Sequence, residues 1–150
     1  MARVSFWGID YMSEVKAEMS RRYVRECVLQ ALYQMEFHPD QEDSVIKERG
    51  ENLEGEYKDF YHYLIRGVKE HLSTIDATIE RYLKKGWSLE RIAAVDRAIL
   101  RIAVFELLFE EETPKGVILN EAVELAKVYS GEESRRFVNG ILGNVASDDE

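Results

Sequence analysis

The sequence predicts an all-α fold, a compact single-domain bundle of about seven helices. Three observations carry that expectation. Apolar residues recur at intervals of three and four along most of the chain, period-two alternation is missing, and only Pro39 and Pro114 interrupt the helical runs. At 150 residues the chain fits one ordinary domain and can bury a core. The expected division is an N-terminal extension over residues 1–20, a helical domain over 21–147 and an acidic tail over 148–150.

Taken in order, Val24, Val28, Ala31, Leu32 and Met35 mark one face of a first helix, which His38-Pro39-Asp40 should end. That helix starts after either Ser20 or Ser13; the pattern allows both. An acidic stretch through Gly55 follows, anchored by Val45, Ile46 and Leu53, where a short helix is expected. From Tyr57 a stripe of Phe60, Tyr61, Leu64, Val68, Leu72, Ile75, Ile79 and Leu83 runs on, split into two helices near Ser73 by a capping-box pattern with Asp76. Gly86 suits a helix C-terminus and Ser88 a new N-cap, with Trp87 and Ile92 placed as a hydrophobic staple.

The next helix, about Leu89 to Phe109, is apolar over most of its circumference and should be the buried central one. Asp96 projects from its apolar side near Leu89, Leu100, Ala103 and Leu107. A carboxylate there must be paired, held in hydrogen bonds or used at an interface. Thr113-Pro114 breaks the chain, a further helix runs to about Tyr129, and Ser130-Gly131 introduces the last, with Phe137, Val138, Ile141, Leu142 and Val145 inward. Gly140 within that helix costs about 1 kcal/mol relative to alanine, which a closely passing backbone would explain. Asn139 beside it reads equally as a core hydrogen bond or a partner contact.

Composition narrows the chemistry. No stretch approaches the roughly 20 apolar residues of a membrane span. The N-terminal Phe6, Trp7, Ile9, Tyr11 and Met12 are interrupted by Asp10 and Glu14, too broken for a signal peptide, so a cytoplasmic protein is expected. Cys27 is the single cysteine, excluding an internal disulfide or a cysteine metal cage, and it reads as a reduced core thiol. His38, His62 and His71 lack metal-motif spacing, and neither a phosphate-cradling glycine loop nor a nucleophile elbow is present. No catalytic residue, metal or cofactor is therefore expected.

A formal charge of −9 argues against coating nucleic acid by bulk electrostatics, so any such contact needs a local basic patch. Arg21, Arg22 and Arg25 supply one within a turn or so of helix. If the helix starts after Ser20, these cations crowd its positive dipole end and invite an anion; a start at Ser13 places them mid-helix and removes that argument. Tyr33, eleven residues beyond Arg22, lies near the same azimuth with Gln30 between them, suiting base stacking and amide readout. Tyr33 also reads as a core residue beside the apolar stripe. Arg135, Arg136 and Phe137 form a second basic-aromatic trio.

The set Arg21-Arg22, Arg25-Glu26-Cys27, Gln30-Ala31-Leu32-Tyr33, then Leu100-Arg101-Ile102-Ala103, Glu106-Leu107, Asn120-Glu121 and Phe137-Val138-Asn139-Gly140 resembles the NusB family of bacterial antitermination factors, over roughly residues 20 to 145. The resemblance implies an RNA-binding adaptor that takes boxA-type single-stranded RNA together with the ribosomal protein NusE. It then joins other Nus factors and the elongating RNA polymerase. It also implies an RNA face of Arg21, Arg22, Arg25, Gln30 and Tyr33, with Glu133 and Phe137 near it, and a NusE face at Asp96. Tyr23 replaces a further basic residue common in the family's arginine cluster. Some relatives self-associate through the RNA face, which makes a homodimer one expectation. A protein-interaction module without RNA binding is the alternative reading. A third, the RNA-binding part of an rRNA methyltransferase, lacks the methyl-donor fold in this length.

Overall fold

The computed structural model describes residues 20–148, and among these all regular structure is helical. The alternative helix start at Ser13, nearly all of the extension and the last two tail residues lie outside the described residues. Seven α-helices follow in order: α1 Arg21–Phe37, α2 Glu42–Arg49, α3 Gly55–Glu70, α4 Leu72–Arg81, α5 Ala94–Phe109, α6 Lys115–Tyr129 and α7 Glu132–Asp148. The chain divides into two compact units, one ending at Tyr63 and one beginning at Leu64, with the division inside α3.

In the first unit α1 packs on α2, and Val24, Cys27, Val28, Leu29, Ala31, Met35, Val45, Leu53, Phe60 and Tyr61 are buried. The expected apolar face of α1 is thus the buried one, except that Leu32 is only partly covered. The helix ends at Phe37, because Pro39 cannot extend it and instead opens a 3-10 turn over Pro39–Gln41. The short helix expected in the acidic stretch is α2. Tyr61 reaches back to it, its hydroxyl donating to the Ile46 carbonyl at 2.6 Å.

In the second unit α5 is central, packing against α4, α6 and α7, and every residue from Ile102 to Leu107 is buried. Gly67 of α3 is required by that packing: a Cβ there would overlap the Phe105 ring. The break between α3 and α4 falls at His71, not at a cap formed by Ser73, which lies inside α4. The His71 ring stacks on Phe109 with centroids 4.0 Å apart, a tertiary contact that no capping pattern encodes. Leu72, expected on the apolar stripe, is consequently exposed.

Two further expectations are corrected between α4 and α5. Helix α4 ends at Arg81, five residues before Gly86, which serves the following loop with φ +92°. The predicted helix from Leu89 is a 3-10 turn, Leu89–Arg91, and α5 begins only at Ala94 because Ile92 and Ala93 are extended. Arg97 makes that break possible by donating to the Leu89 and Ile92 carbonyls at 3.0 and 2.7 Å, replacing helical partners. No staple closes the turn, since Ile92 is buried whereas Trp87 is half exposed.

The C-terminal elements follow their expected punctuation. Pro114 precedes α6 and Gly131, at φ +113°, precedes α7. Val138, Ile141, Leu142 and Val145 are buried, while Phe137 is only partly covered. Asn139 is exposed, which rules out the core hydrogen bond, and no backbone of another element among the described residues comes within 4 Å of the Cβ position of Gly140.

Candidate nucleic-acid interface

The first turn of α1 is built by Ser20. Its backbone is extended at φ −134° and ψ 163°, and its side-chain oxygen accepts from the Tyr23 amide at 3.2 Å. Arg21 and Arg22 therefore occupy the first two helical positions, where orphan amides and the macrodipole both favour an anion, and the turn contains no acid. Both arginines are exposed. Of the two starts the sequence allowed, Ser20 is the one that caps α1, which places Arg21 and Arg22 at the helix's positive dipole end.

Arg25 behaves differently. Expected on an open surface with its neighbours, it is only 3% exposed, and its guanidinium sits 5.3 Å from the Phe60 ring centroid. Arg21 lies over the same ring at 4.1 Å. Phe60 thus organises two cations, one outward and one inward, through the attraction of its π-face for charge. Gln30 is likewise buried, at 7% exposure, because its position falls on the inner side of the helix with Cys27 and Ala31. Tyr33 is half buried, its ring 5.0 Å from that of exposed Phe37. Sequence reasoning did not single out Phe37; a bare phenylalanine four residues beyond Tyr33 was the available signal.

In the second unit Glu133 is exposed and Phe137 partly so, one turn apart on α7. Of the basic trio there, Arg136 is exposed and Arg135 is engaged by Glu132 at 2.8 Å. That contact lowers the pKa of the Glu132 carboxyl.

Asp96, in the first turn of α5, is 6% exposed. Its Oδ2 accepts from the Ser134 hydroxyl at 2.9 Å, while Oδ1 is buried and has no hydrogen-bond partner among the described residues. The helix dipole favours a carboxylate at this position, but an unmatched buried oxygen is costly and suits a donor arriving from outside. Sequence reasoning missed Ser134, the residue that orients the carboxylate.

Cys27 is a core thiol, its pKa pushed up from 9.0 to about 12 chiefly by burial, so it stays protonated and unreactive. Among the described residues no group of three or more His, Cys, Asp or Glu side chains could hold a metal. No helix among them is long and apolar enough to cross a membrane.

The transcription antitermination protein NusB of Bacillus thuringiensis (strain Al Hakam) is 46% identical over 127 residues, covering 85% of this chain and 97% of that protein. Among solved structures, T. maritima NusB superposes with a TM-score of 0.81 at 44% identity, covering 87% of this chain and 93% of that one. A structure of antitermination factors NusB and NusE in complex with dsRNA matches with a TM-score of 0.77 at 27% identity, covering 85% and 96%. The NusB family model matches residues 22–147, from the arginine-bearing start of α1 almost to the end of α7, and the chain belongs to the NusB family.

Proposed function

We propose that the protein is a non-catalytic, cytoplasmic adaptor in transcription antitermination, binding boxA-type single-stranded RNA as a heterodimer with NusE. That pair then joins other Nus factors on the elongating RNA polymerase. The observation that carries the reading is the capped, acid-free start of α1, where an acidic chain exposes Arg21 and Arg22 together.

The two exposed guanidiniums contact phosphate, each offering a planar pair of donors to its oxygens. Arg25 is a positioning residue: buried against Phe60, it helps hold the ring over which Arg21 lies. Gln30, also buried, supports the same helix face from within. Tyr33 offers a partly open ring for base stacking. Glu133, an acceptor-only carboxylate, repels phosphate and suits base amino groups, with Phe137 as an adjacent apolar surface. Asp96, oriented by Ser134, awaits a donor from NusE at Oδ1. The net charge of −9 complements a basic ribosomal protein and favours oriented encounter.

The burial of Arg25 and Gln30 favours a second reading, an interaction module that keeps Asp96 and has lost RNA binding. A fluorescence titration of labelled boxA RNA, with NusE present and absent, separates them. Specific binding that tightens with NusE supports the adaptor. Capture of NusE with no boxA preference in either condition supports the module and overturns the RNA assignment.

A further inference from the structure

The loop between α4 and α5 concentrates positive charge in a chain that is otherwise acidic. Residues 81–91 contain Arg81, Lys84, Lys85 and Arg91 against the single acid Glu90, within a protein of net charge −9. All four cations are exposed. Trp87 stands among them, 51% exposed, although burial of an indole is ordinarily among the larger apolar gains a fold can make.

The loop is held at several points. Tyr82 donates through its hydroxyl to Asp148 at the end of α7. The Trp87 amide donates to the Lys84 carbonyl at 3.0 Å, closing a turn about Lys85 and Gly86. Arg91 donates to the Gly86 carbonyl at 3.3 Å, which brings a third cation back to that turn. Beyond it, Arg97 fixes the Leu89 and Ile92 carbonyls. Trp87 is therefore presented from a braced turn, so little backbone entropy remains to be lost when its ring is covered.

We propose that Lys84, Lys85, Trp87 and Arg91 form a second single-stranded RNA contact, separate from the start of α1. The cations take phosphates by releasing counterions, and the exposed indole stacks on an unpaired base. Tryptophan and arginine also serve protein–protein interfaces, where lysine is depleted; it is the lysine pair beside the half-exposed indole that favours a single strand. The proposal extends the RNA-binding reading and takes its choice of polymer from it.

The chain contains two tryptophans, so the Trp7→Phe protein reports on Trp87 alone. Titrated with boxA RNA bearing a U-rich single-stranded flank, it should show quenched indole emission at saturation. Trp87→Ala should weaken binding about tenfold, with Trp87→Phe recovering most of the loss. Lys84→Ala with Lys85→Ala should make the log–log salt slope shallower by about 1.4, from roughly 0.7 per phosphate contact. Circular dichroism of each variant checks that the helices persist. Emission unchanged at RNA saturation with NusE present, or changed by NusE just as much without RNA, overturns the proposal, the latter by assigning the loop to a protein. If Arg21→Ala with Arg22→Ala weakens binding while the loop variants do not, the second contact alone fails. If none of these variants affects binding, the RNA reading falls as well.

Discussion

The starts of α1 and α5 are electrostatic opposites. At α1 two arginines stand where the helix dipole disfavours them, and both are exposed to water. At α5 an aspartate stands where the dipole favours it, yet it is buried with one oxygen unmatched. The first arrangement costs little because solvent screens it, and under the proposed function it faces a flexible polyanion. The second is expensive to leave open and demands a donor of fixed geometry, which a folded protein supplies better than a strand does. The two helix starts also differ in build, since Ser20 caps α1 through its side chain whereas Ala93 gives α5 no side-chain cap.

The largest effect should come from breaking the desolvated side. Asp96→Lys puts a cation where a partner's donor must enter, and should abolish NusE capture in calorimetric titration while boxA contacts at α1 remain. Asp96→Asn keeps the shape and should still lose roughly 2–5 kcal/mol of NusE binding, as truncated buried charge pairs do. Capture at undiminished affinity by a folded Asp96→Asn protein would remove Asp96 from the interface.

The electrostatic side should respond in a different currency. Arg21→Ala with Arg22→Ala should reduce boxA affinity most at low salt and make the log–log salt slope shallower by about 1.4. Adding Arg25→Ala should change the slope little, because Arg25 is covered, but should destabilise the unit in urea denaturation. A slope that shifts as much for Arg25 as for Arg22 would show that Arg25 reaches the strand.

Smaller changes sharpen the role of the helix start itself. Ser20→Ala removes the cap and should cost about 1 kcal/mol of unfolding free energy, read as a lower urea midpoint at unchanged m, with a modest loss of RNA affinity. Arg22→Glu should do the reverse, weakening RNA binding while raising stability by a few tenths of a kcal/mol, since an exposed acid there agrees with the dipole. Equal losses of stability for the two variants would contradict the dipole account.

Much of this was legible beforehand where the signal is local. The end of α1 at Pro39, the break at Pro114 and the inward faces of α1 and α7 follow from spacing and from what proline forbids. The arginine cluster was legible as a set but not its division, because Arg25 is covered by an environment that includes Phe60, thirty-five residues away in sequence. Ser134 was not legible because its significance exists only beside Asp96, and the α3–α4 break falls at His71, whose ring stacks on Phe109, not at the Ser73 pattern. Trp87, spaced as a hydrophobic staple, is half exposed while Ile92 is buried.

By itself the order of residues determined an all-helical chain, the family, and which segments carry useful charge, since periodicity, breakers and composition act over a few neighbours. Only the tertiary structure decided which of those charges meet solvent. Burial depends on side chains brought together from distant positions, and desolvation decides whether an arginine lies against an aromatic ring or an aspartate oxygen is left without a hydrogen bond among the described residues.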